Sequence, residues 1–498
     1  MDLQKRQAQL ETAKKEITFC DKTALTKISG EGKFTARERM ETLFDNGTFV
    51  ETASYIKARA NEFNTAKVEQ YEGVITGYGS IDGRLVFCYS QDISRLNGAF
   101  GKAAAEKISL LYDLALKNGA PVVSVFDSSG AKLLEGIDVL DGYGKVMRKS
   151  ASIKGKLPQI SVICGNASGA AAIISSMSDI VIMSHKNASY SVNPVSVLQN
   201  DGAGKNAGSA EYASEKGFVC TVCEDETQSL EKVKEFLAYL PSNKLDKNIY
   251  LSEDDSANRQ ADGLEALVSN GKYDMHSVIS TIADDGKYLE LYAQNGTSMI
   301  CALISLNGIP CGVVANAPSV NSLIGADGTR KAAEFIQFCN SFSLPVLTLV
   351  DCEGFSSTCE AKGGRLVSGA SALAFAYASA SIPLITLNIG AAYGSAFAVL
   401  GSKSVGADIV FALNSAKISV MNPASAINFM WNDRIAAANT PAETKKKLEE
   451  EWELNMSSPI IAAQNGYIDD IIDYKETRQR LASALEMLSM KSEFQALK

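Results

Sequence analysis

Leu384-Ile385-Thr386-Leu387-Asn388-Ile389 runs directly into Gly390-Ala391-Ala392-Tyr393-Gly394-Ser395-Ala396-Phe397-Ala398-Val399-Leu400. A short apolar run with branched residues comes first, then small residues without a break. The pattern predicts a buried strand, a tight turn and the first turns of a buried helix. Small residues at such a turn let another group approach the backbone closely. The N–H groups at the helix start are then unpaired and point at that group, a cradle for negative charge. That is the anatomy of a main-chain oxyanion hole. Close packing of a helix on a sheet selects Gly and Ala as well, so this window alone decides nothing.

A second copy shifts the reading. Leu157-Pro158-Gln159-Ile160-Ser161-Val162-Ile163-Cys164 is followed by Gly165-Asn166-Ala167-Ser168-Gly169-Ala170-Ala171-Ala172. Other segments recur in the same order. Asn46 to Glu51 matches Asp285 to Glu290, Ile81 to Leu85 matches Leu306 to Pro310, and Pro121 to Asp127 matches Pro345 to Asp351. Ser178-Asp179 matches Ala407-Asp408, and Ser191-Val192-Asn193-Pro194 matches Ser419 to Pro423. The offsets are all roughly 225 to 240 residues, so one fold is built twice in tandem. Apolar strands alternate with helices, which predicts an α/β protein with mainly parallel, covered sheets. The expected domains are 1–245 and 246–498, with a polar linker near 241–258.

Bulk properties agree with a globular enzyme. The chain has 498 residues, 46% hydrophobic and 21% charged, with a net charge of −9. That balance carries no nucleic-acid footprint. The N-terminus, Met1 to Arg6, is polar and charged, so no secretory signal is expected. The nearly charge-free span 367–402 is broken by Pro383, Gly390 and Gly394, and reads as helix, strand and helix inside a core rather than a membrane span. Ten scattered cysteines read as reduced core thiols of a cytoplasmic protein. Cys220 and Cys223 form a lone CxxC pair, better explained by packing than by metal. With only His185 and His276, a histidine triad has little to draw on.

Local signals place the remaining elements. Thr35 and Glu38 form a capping box before a short helix. Asp82-Gly83 between two apolar runs predicts a hairpin. Helices are expected at 102–116, near 139–154 and at 230–240, and strands at 122–126, 158–164 and 180–183. Asp127 and Asp351 end parallel strands, where α/β sites tend to lie; capping of the next helix is their expected role. Glu135 is expected to be a solvated helix residue. Tyr393 is either a pocket wall or a core aromatic.

The chain resembles the carboxyltransferase subunits of biotin-dependent acyl-CoA carboxylases, transcarboxylases and sodium-pumping decarboxylases, of the propionyl-CoA carboxylase β and methylmalonyl-CoA decarboxylase α types. The resemblance is carried by Gly32-Lys33-Phe34-Thr35-Ala36-Arg37-Glu38-Arg39, Val74 to Gly83, Gln91-Asp92, Asp127-Ser128-Ser129-Gly130-Ala131-Lys132, Pro158 to Ala172, Lys331 to Cys339, Val350-Asp351, Gly354-Phe355 and Ala392 to Ala396. It implies two crotonase-like ββα superhelix domains. It further implies a homo-hexamer, acyl-CoA on the N-terminal domain and biotin, borne by a carboxyl carrier protein, on the C-terminal one. The resemblance makes Gly169, Ala170, Ser395 and Ala396 the catalytic amide donors. It assigns Ser129, Gly130, Ala131, Lys132, Tyr393, Gly394 and Ala398 to substrate binding. Lys33 and Arg37 are either contacts for CoA phosphates or charges of a surface helix. No metal is implied. The partners implied are a biotin carboxylase subunit or a membrane decarboxylase subunit. A hydratase or hydrolase of the crotonase type, and a non-catalytic scaffold, are the competing readings.

The chemistry implied moves a carboxyl group between N-carboxybiotin and the α-carbon of a thioester. Each step creates an oxyanion, and two preformed amide pairs stabilise them without a titrating side chain. This chain departs from the family pattern in several places. Ala170 and Ser395 stand where the family has Gly, Ser129 and Lys132 where it has Gly and Arg, and Ala398 where Asp is common. Glu353 and Ser356-Ser357-Thr358 replace Pro and Leu-Pro-Gly. Ser489-Met490-Lys491-Ser492 is similar to a biotin-attachment Met-Lys, but its charged helical surroundings argue against attachment.

Overall fold

The computed structural model describes residues 3–20, 22–59, 71–202, 204–246, 251, 255–256, 258–269, 271 and 273–491. The expected linker at 241–258 therefore lies partly outside the described residues. The chain divides into two compact units, Met1–Asp246 and Lys247–Lys498.

The first unit is a seven-stranded sheet in which space order follows chain order. Its strands are β1 (Val50–Thr52), β2 (Val74–Ile81), β3 (Arg84–Gln91), β4 (Val122–Phe126), β5 (Gln159–Ile163), β6 (Ile180–Ser184) and β7 (Thr221–Cys223). β1 to β3 pair antiparallel, and β3 to β7 pair parallel. β4, β5 and β6 are buried at every residue, as strands covered on both faces must be. The helices include α1 (Ala36–Leu43), α2 (Lys102–Asn118), α3 (Ile137–Ile153), α4 (Ala170–Ser176) and α5 (Glu226–Tyr239). The apolar faces of α2, α3 and α4 and the sheet build a core that includes Phe100, Ile108, Phe126, Val146 and Ile163, while α1 buries Met40 and Leu43 and α5 buries Val233 and Phe236.

The second unit repeats the plan with β8 (Tyr288–Leu291), β9 (Met299–Leu306), β10 (Ile309–Asn316), β11 (Val346–Cys352), β12 (Leu384–Tyr393), β13 (Ile409–Leu413) and β14 (Asp470–Ile472). Its helices include α6 (Met275–Ile282), α7 (Ala326–Ser341), α8 (Leu366–Ser379) and α9 (Gly394–Val399). Its core includes Val278, Ile304, Val313, Leu349 and Leu387. This doubled plan of a mixed sheet and its helices is the crotonase-like architecture that the resemblance implied.

The duplication extends to single side chains. Asp82-Gly83 and Asn307-Gly308 both turn with positive φ, at 49° and 77° in the first and 54° and 73° in the second, as a two-residue I′ hairpin requires. The Asp45 carboxylate accepts the N–H groups of Asp82 and Gly83, each at 3.1 Å. Asp284 does the same for Asn307 and Gly308, at 2.9 and 2.8 Å. Asp179 and Asp408 likewise each hold the first N–H of the neighbouring strand, at Gln159 and Leu384.

The charge-free span becomes α8, β12 and α9, and among the described residues no helix is long and apolar enough to cross a membrane. The Thr35–Glu38 capping box is present in both directions. Lys491 is tied by its amine to the Asp408 carboxylate and the Ile382 carbonyl, both at 2.7 Å; its neighbour Ser492 lies outside the described residues.

Candidate active site: two small-residue turns

In the first unit the turn begins where β5 ends. The N–H groups of Cys164 and Gly165 both donate to the Phe126 carbonyl, at 3.0 and 3.1 Å. Residues 166–168 then pair in parallel with 189–191. Gly169 follows at φ +61°, a conformation that Gly adopts freely and other residues rarely do. Its N–H donates to the carbonyls of Ser191 and Val192, at 3.1 and 3.0 Å. The first bond into α4 runs from Ile173 N–H to the Gly169 carbonyl, at 3.2 Å. The N–H groups of Ala170, Ala171 and Ala172 precede it and so have no acceptor within the helix. Gly169 therefore supplies the conformation, and Ala170 is the first N–H able to face a ligand.

Loop 128–132 is tied to this turn. Ser128 N–H donates to the Asn166 carbonyl at 3.0 Å, and the Asn166 amide returns a bond to the Ser128 carbonyl at 2.8 Å. Gly130, at φ 107°, and Lys132 bracket Ala131 in a bridge to Phe100: Phe100 N–H donates to the Gly130 carbonyl and Lys132 N–H to the Phe100 carbonyl, each at 2.8 Å. Ser129, Gly130, Ala131 and Lys132 are thus brought beside the turn, with Ser129 exposed.

The charged residues nearby are already engaged. Lys132 Nζ lies 2.5 Å from Glu72 Oε1 and 4.0 Å from Glu135 Oε1. Lys33 pairs with Asp127 at 3.3 Å, and Arg37 with Glu51 at 2.9 Å. Two expectations are corrected. Glu135 is not a solvated helix residue: its side chain is 4% exposed, and Oε2 accepts the Lys102 N–H at 2.7 Å, closing the start of α2. Asp127 does not cap a helix. Arg39 Nη2 reaches it at 2.8 Å, while Arg39 Nε reaches Glu226 at 2.8 Å, all three buried.

Arg39 and Glu226 escaped the sequence reading. The signal that could have found Arg39 is the stripe Ala36, Arg39, Met40, Leu43, which is the buried face of α1. An arginine on such a face needs a buried acid.

In the second unit β12 continues to Tyr393, four residues beyond the strand that the pattern predicts. Val350 pairs with Asn388 and Cys352 with Ala392, so Ile389, Gly390 and Ala391 bulge opposite the single residue Asp351. Asp351 is no helix cap either: Oδ1 accepts the Ala391 N–H and Oδ2 the Tyr273 hydroxyl, both at 2.7 Å. Ala391, Ala392 and Tyr393 pair on the other side with Lys417, Ile418 and Ser419. Gly394 turns at φ +61°, as Gly169 does.

α9 corrects a further expectation, because it is six residues long and not a buried helix: Ser395 and Ala398 are exposed and only Ala396 is fully covered. In so short a helix the local first-turn N–H groups matter more than any summed dipole. Tyr393 is 6% exposed, and burial pushes its phenol up to about 12. Ser356, in the divergent loop, caps a short helix, 357–361, by accepting the Cys359 N–H at 3.2 Å. Among the described residues no group of three His, Cys, Asp or Glu could hold a metal ion.

The carboxyl transferase domain family matches residues 28–498. The methylmalonyl-CoA decarboxylase subunit alpha of Propionigenium modestum is 35% identical over 479 residues, covering 94% of this chain and 93% of the relative. The propionyl-CoA carboxylase beta chain of Saccharopolyspora erythraea is 35% identical over 492 residues, covering 94% and 90%. Among solved structures, the hexameric transcarboxylase 12S with methylmalonyl-CoA and methylmalonic acid bound superposes with a TM-score of 0.93 at 32% identity, over 99% of this chain and 96% of that one.

Proposed function

The chain belongs to the carboxyl transferase domain family, and from that premise we propose that it moves a carboxyl group between N-carboxybiotin on a carrier protein and the α-carbon of a short acyl-CoA. The first unit is the acyl-CoA side and the second the biotin side. The observation that carries the reading is the family match over 28–498, which spans both small-residue turns.

The carried biotin supplies the carboxyl group. This chain's residues supply places for negative charge. The first-turn N–H of Ala170 faces the thioester oxygen as the α-carbon gives its proton to the ureido nitrogen that has given up the carboxyl group, with loop 129–132 beside it. The N–H groups of Ser395 and Ala396 face the ureido oxygen, and the exposed Ser395 and Ala398 leave that turn open to it. These residues fit an anionic oxygen and need no titrating side chain.

The same turns serve decarboxylation when the flow is reversed. Two relatives, from Propionigenium modestum and Veillonella parvula, are named methylmalonyl-CoA decarboxylase subunit alpha, which keeps a sodium-pumping decarboxylase as the second reading. A biotin carboxylase partner in the cytoplasm belongs to the first reading and a membrane decarboxylase subunit to the second; a homo-hexamer serves either. The hydratase reading asks for a carboxylate at the turn. Its visible candidate, Glu135, is tied to the start of α2.

The test is transfer from free carboxybiotin to acetyl-, propionyl-, butyryl- and glutaconyl-CoA. Transfer to one or more is the expected result. Hydration of an enoyl-CoA without biotin, and no transfer to any of the four, would replace the reading.

A further inference from the structure

Asp351 occupies an unusual place in its sheet. Three residues of β12 lie opposite it, and its carboxylate fills the space that they enclose. Oδ1 accepts the Ala391 N–H at 2.7 Å. A Cβ at Gly390 would stand 2.3 Å from the same oxygen, so the bulge closes on the carboxylate without room for a side chain. The carboxylate is held from behind: Oδ2 accepts the hydroxyl of Tyr273 at 2.7 Å, and Tyr273 is 7% exposed. Its backbone is fixed as well, because Asn316 Oδ1 accepts the Asp351 N–H at 2.7 Å and the Asn316 amide donates to the Asp351 carbonyl.

The first unit solves the same problem differently. A Cβ at Gly165 would stand 1.8 Å from Asp127 Oδ1, but that carboxylate is gripped by Arg39 and Lys33. Among the described residues no Lys, Arg or His nitrogen comes within 4.0 Å of Asp351, whose partners are a phenol and a backbone amide. Only two residues separate Ala391 from Gly394, where the second turn begins. α9 has one fully covered residue, so packing of its own side chains does little to orient it.

We propose that Asp351 and Tyr273 are the positioning residues of the second turn. The carboxylate fixes the peptide of Ala391, and through the two residues that follow it sets the direction of the Ser395 and Ala396 N–H groups. Tyr273 fixes the carboxylate. Neither touches substrate. The inference rests on the carboxyl-transfer reading for its kinetic consequence, and on geometry alone for its structural one.

The test uses the full chain with Asp351→Ala, Asp351→Asn and Tyr273→Phe. Amide hydrogen exchange is followed in peptides covering 389–397 and 164–172. Asp351→Ala should speed exchange at 389–397 and leave 164–172 unchanged. Tyr273→Phe should have a smaller effect in the same place, and Asp351→Asn, whose amide oxygen still accepts from Ala391, should come nearest the parent. In carboxyl transfer, Asp351→Ala should lower kcat by about 10²-fold, the scale of an ångström-sized misplacement, with the KM for acyl-CoA unchanged and partial rescue in Asp351→Asn. Unchanged exchange at 389–397 in Asp351→Ala, or in both milder variants if that one does not fold, would overturn the proposal. So would a kcat loss matched by an equal rise in acyl-CoA KM. A parent protein without any transfer would remove the functional reading, while the exchange result would still decide the positioning role.

Discussion

Asp127 stands in the space where a side chain at Gly165 would go: a Cβ there would lie 1.8 Å from Oδ1. The same holds for Asp351 and Gly390 at 2.3 Å. Gly165→Ala must therefore push the buried Asp127 carboxylate off its partners, and Gly390→Ala the half-buried Asp351 carboxylate. Overpacking of this kind costs about 1–3 kcal/mol, and loss of the carboxylate bonds adds to it. Urea denaturation should show both variants less stable than the parent, whereas Gly363→Ala, in open space at φ +77°, should show only backbone strain. Equal losses at all three positions would contradict the contact.

Arg39 joins Asp127 and Glu226 in a buried ion cluster. Removing the guanidinium leaves two acids without their shared cation. Arg39→Met should destabilise the first unit by about 3–5 kcal/mol, the usual cost of breaking a buried pair on one side. A triple replacement of Arg39, Asp127 and Glu226 by apolar residues should recover much of that loss, and thermal unfolding of the two variants side by side would check it.

Ala170 is the first residue of α4, where proline fits the helix and lacks only the N–H. Ala170→Pro should fold normally and lose roughly 10²–10³ in kcat, the typical effect of deleting one oxyanion donor. Ser395→Pro and Ala396→Pro make the parallel test in the second unit. Full activity in a folded Ala170→Pro protein would remove that N–H from the reaction.

Lys132 separates a structural role from a ligand contact. Its amine is 2.5 Å from the buried Glu72 carboxylate. Lys132→Gln should lower the melting temperature by leaving Glu72 unpaired, a loss of about 3 kcal/mol or more. A normal melting temperature with a raised KM for acyl-CoA would instead place the lysine on the CoA phosphates.

The pH dependence of stability is set at its alkaline end by buried thiols. Burial pushes up the thiols of Cys88, Cys164, Cys223, Cys301, Cys311, Cys339 and Cys352, the last to about 12. Folded pKa values above the unfolded one, near 8.5, mean that the native state keeps protons that the unfolded state releases. This stabilisation is complete below about pH 8.5 and is lost as pH rises towards the folded values. Denaturant midpoints should fall steadily from pH 8.5 to 10.5. The amine of Lys107, lowered to about 8 by burial, works in the opposite direction over the same window, but one amine is set against seven thiols.

Much of the fold could be read in the chain because its signals are local. Apolar runs of five to eight residues, Asp82-Gly83, the Thr35–Glu38 box and the repeated order of segments specify strands, turns and duplication through neighbours in sequence. The family stretches also placed Gly169, Ala170, Ser395 and Ala396 on the two turns. What the pattern got wrong were lengths and partners. β12 runs on to Tyr393 because it bulges around Asp351 and then pairs with residues 417–419. Glu135 is covered because it closes a helix that starts 33 residues before it.

The sequence by itself determined the period of each element, the tandem repeat and the small residues at the turns, since these depend on chain geometry within a few residues. Only the tertiary structure decided which charge meets which: Arg39 with Asp127, 88 positions away, Lys132 with Glu72, and the hydroxyl of Tyr273 with Asp351, 78 positions on. A buried carboxylate must find a donor, but nothing in its own neighbourhood along the chain says which one will arrive beside it.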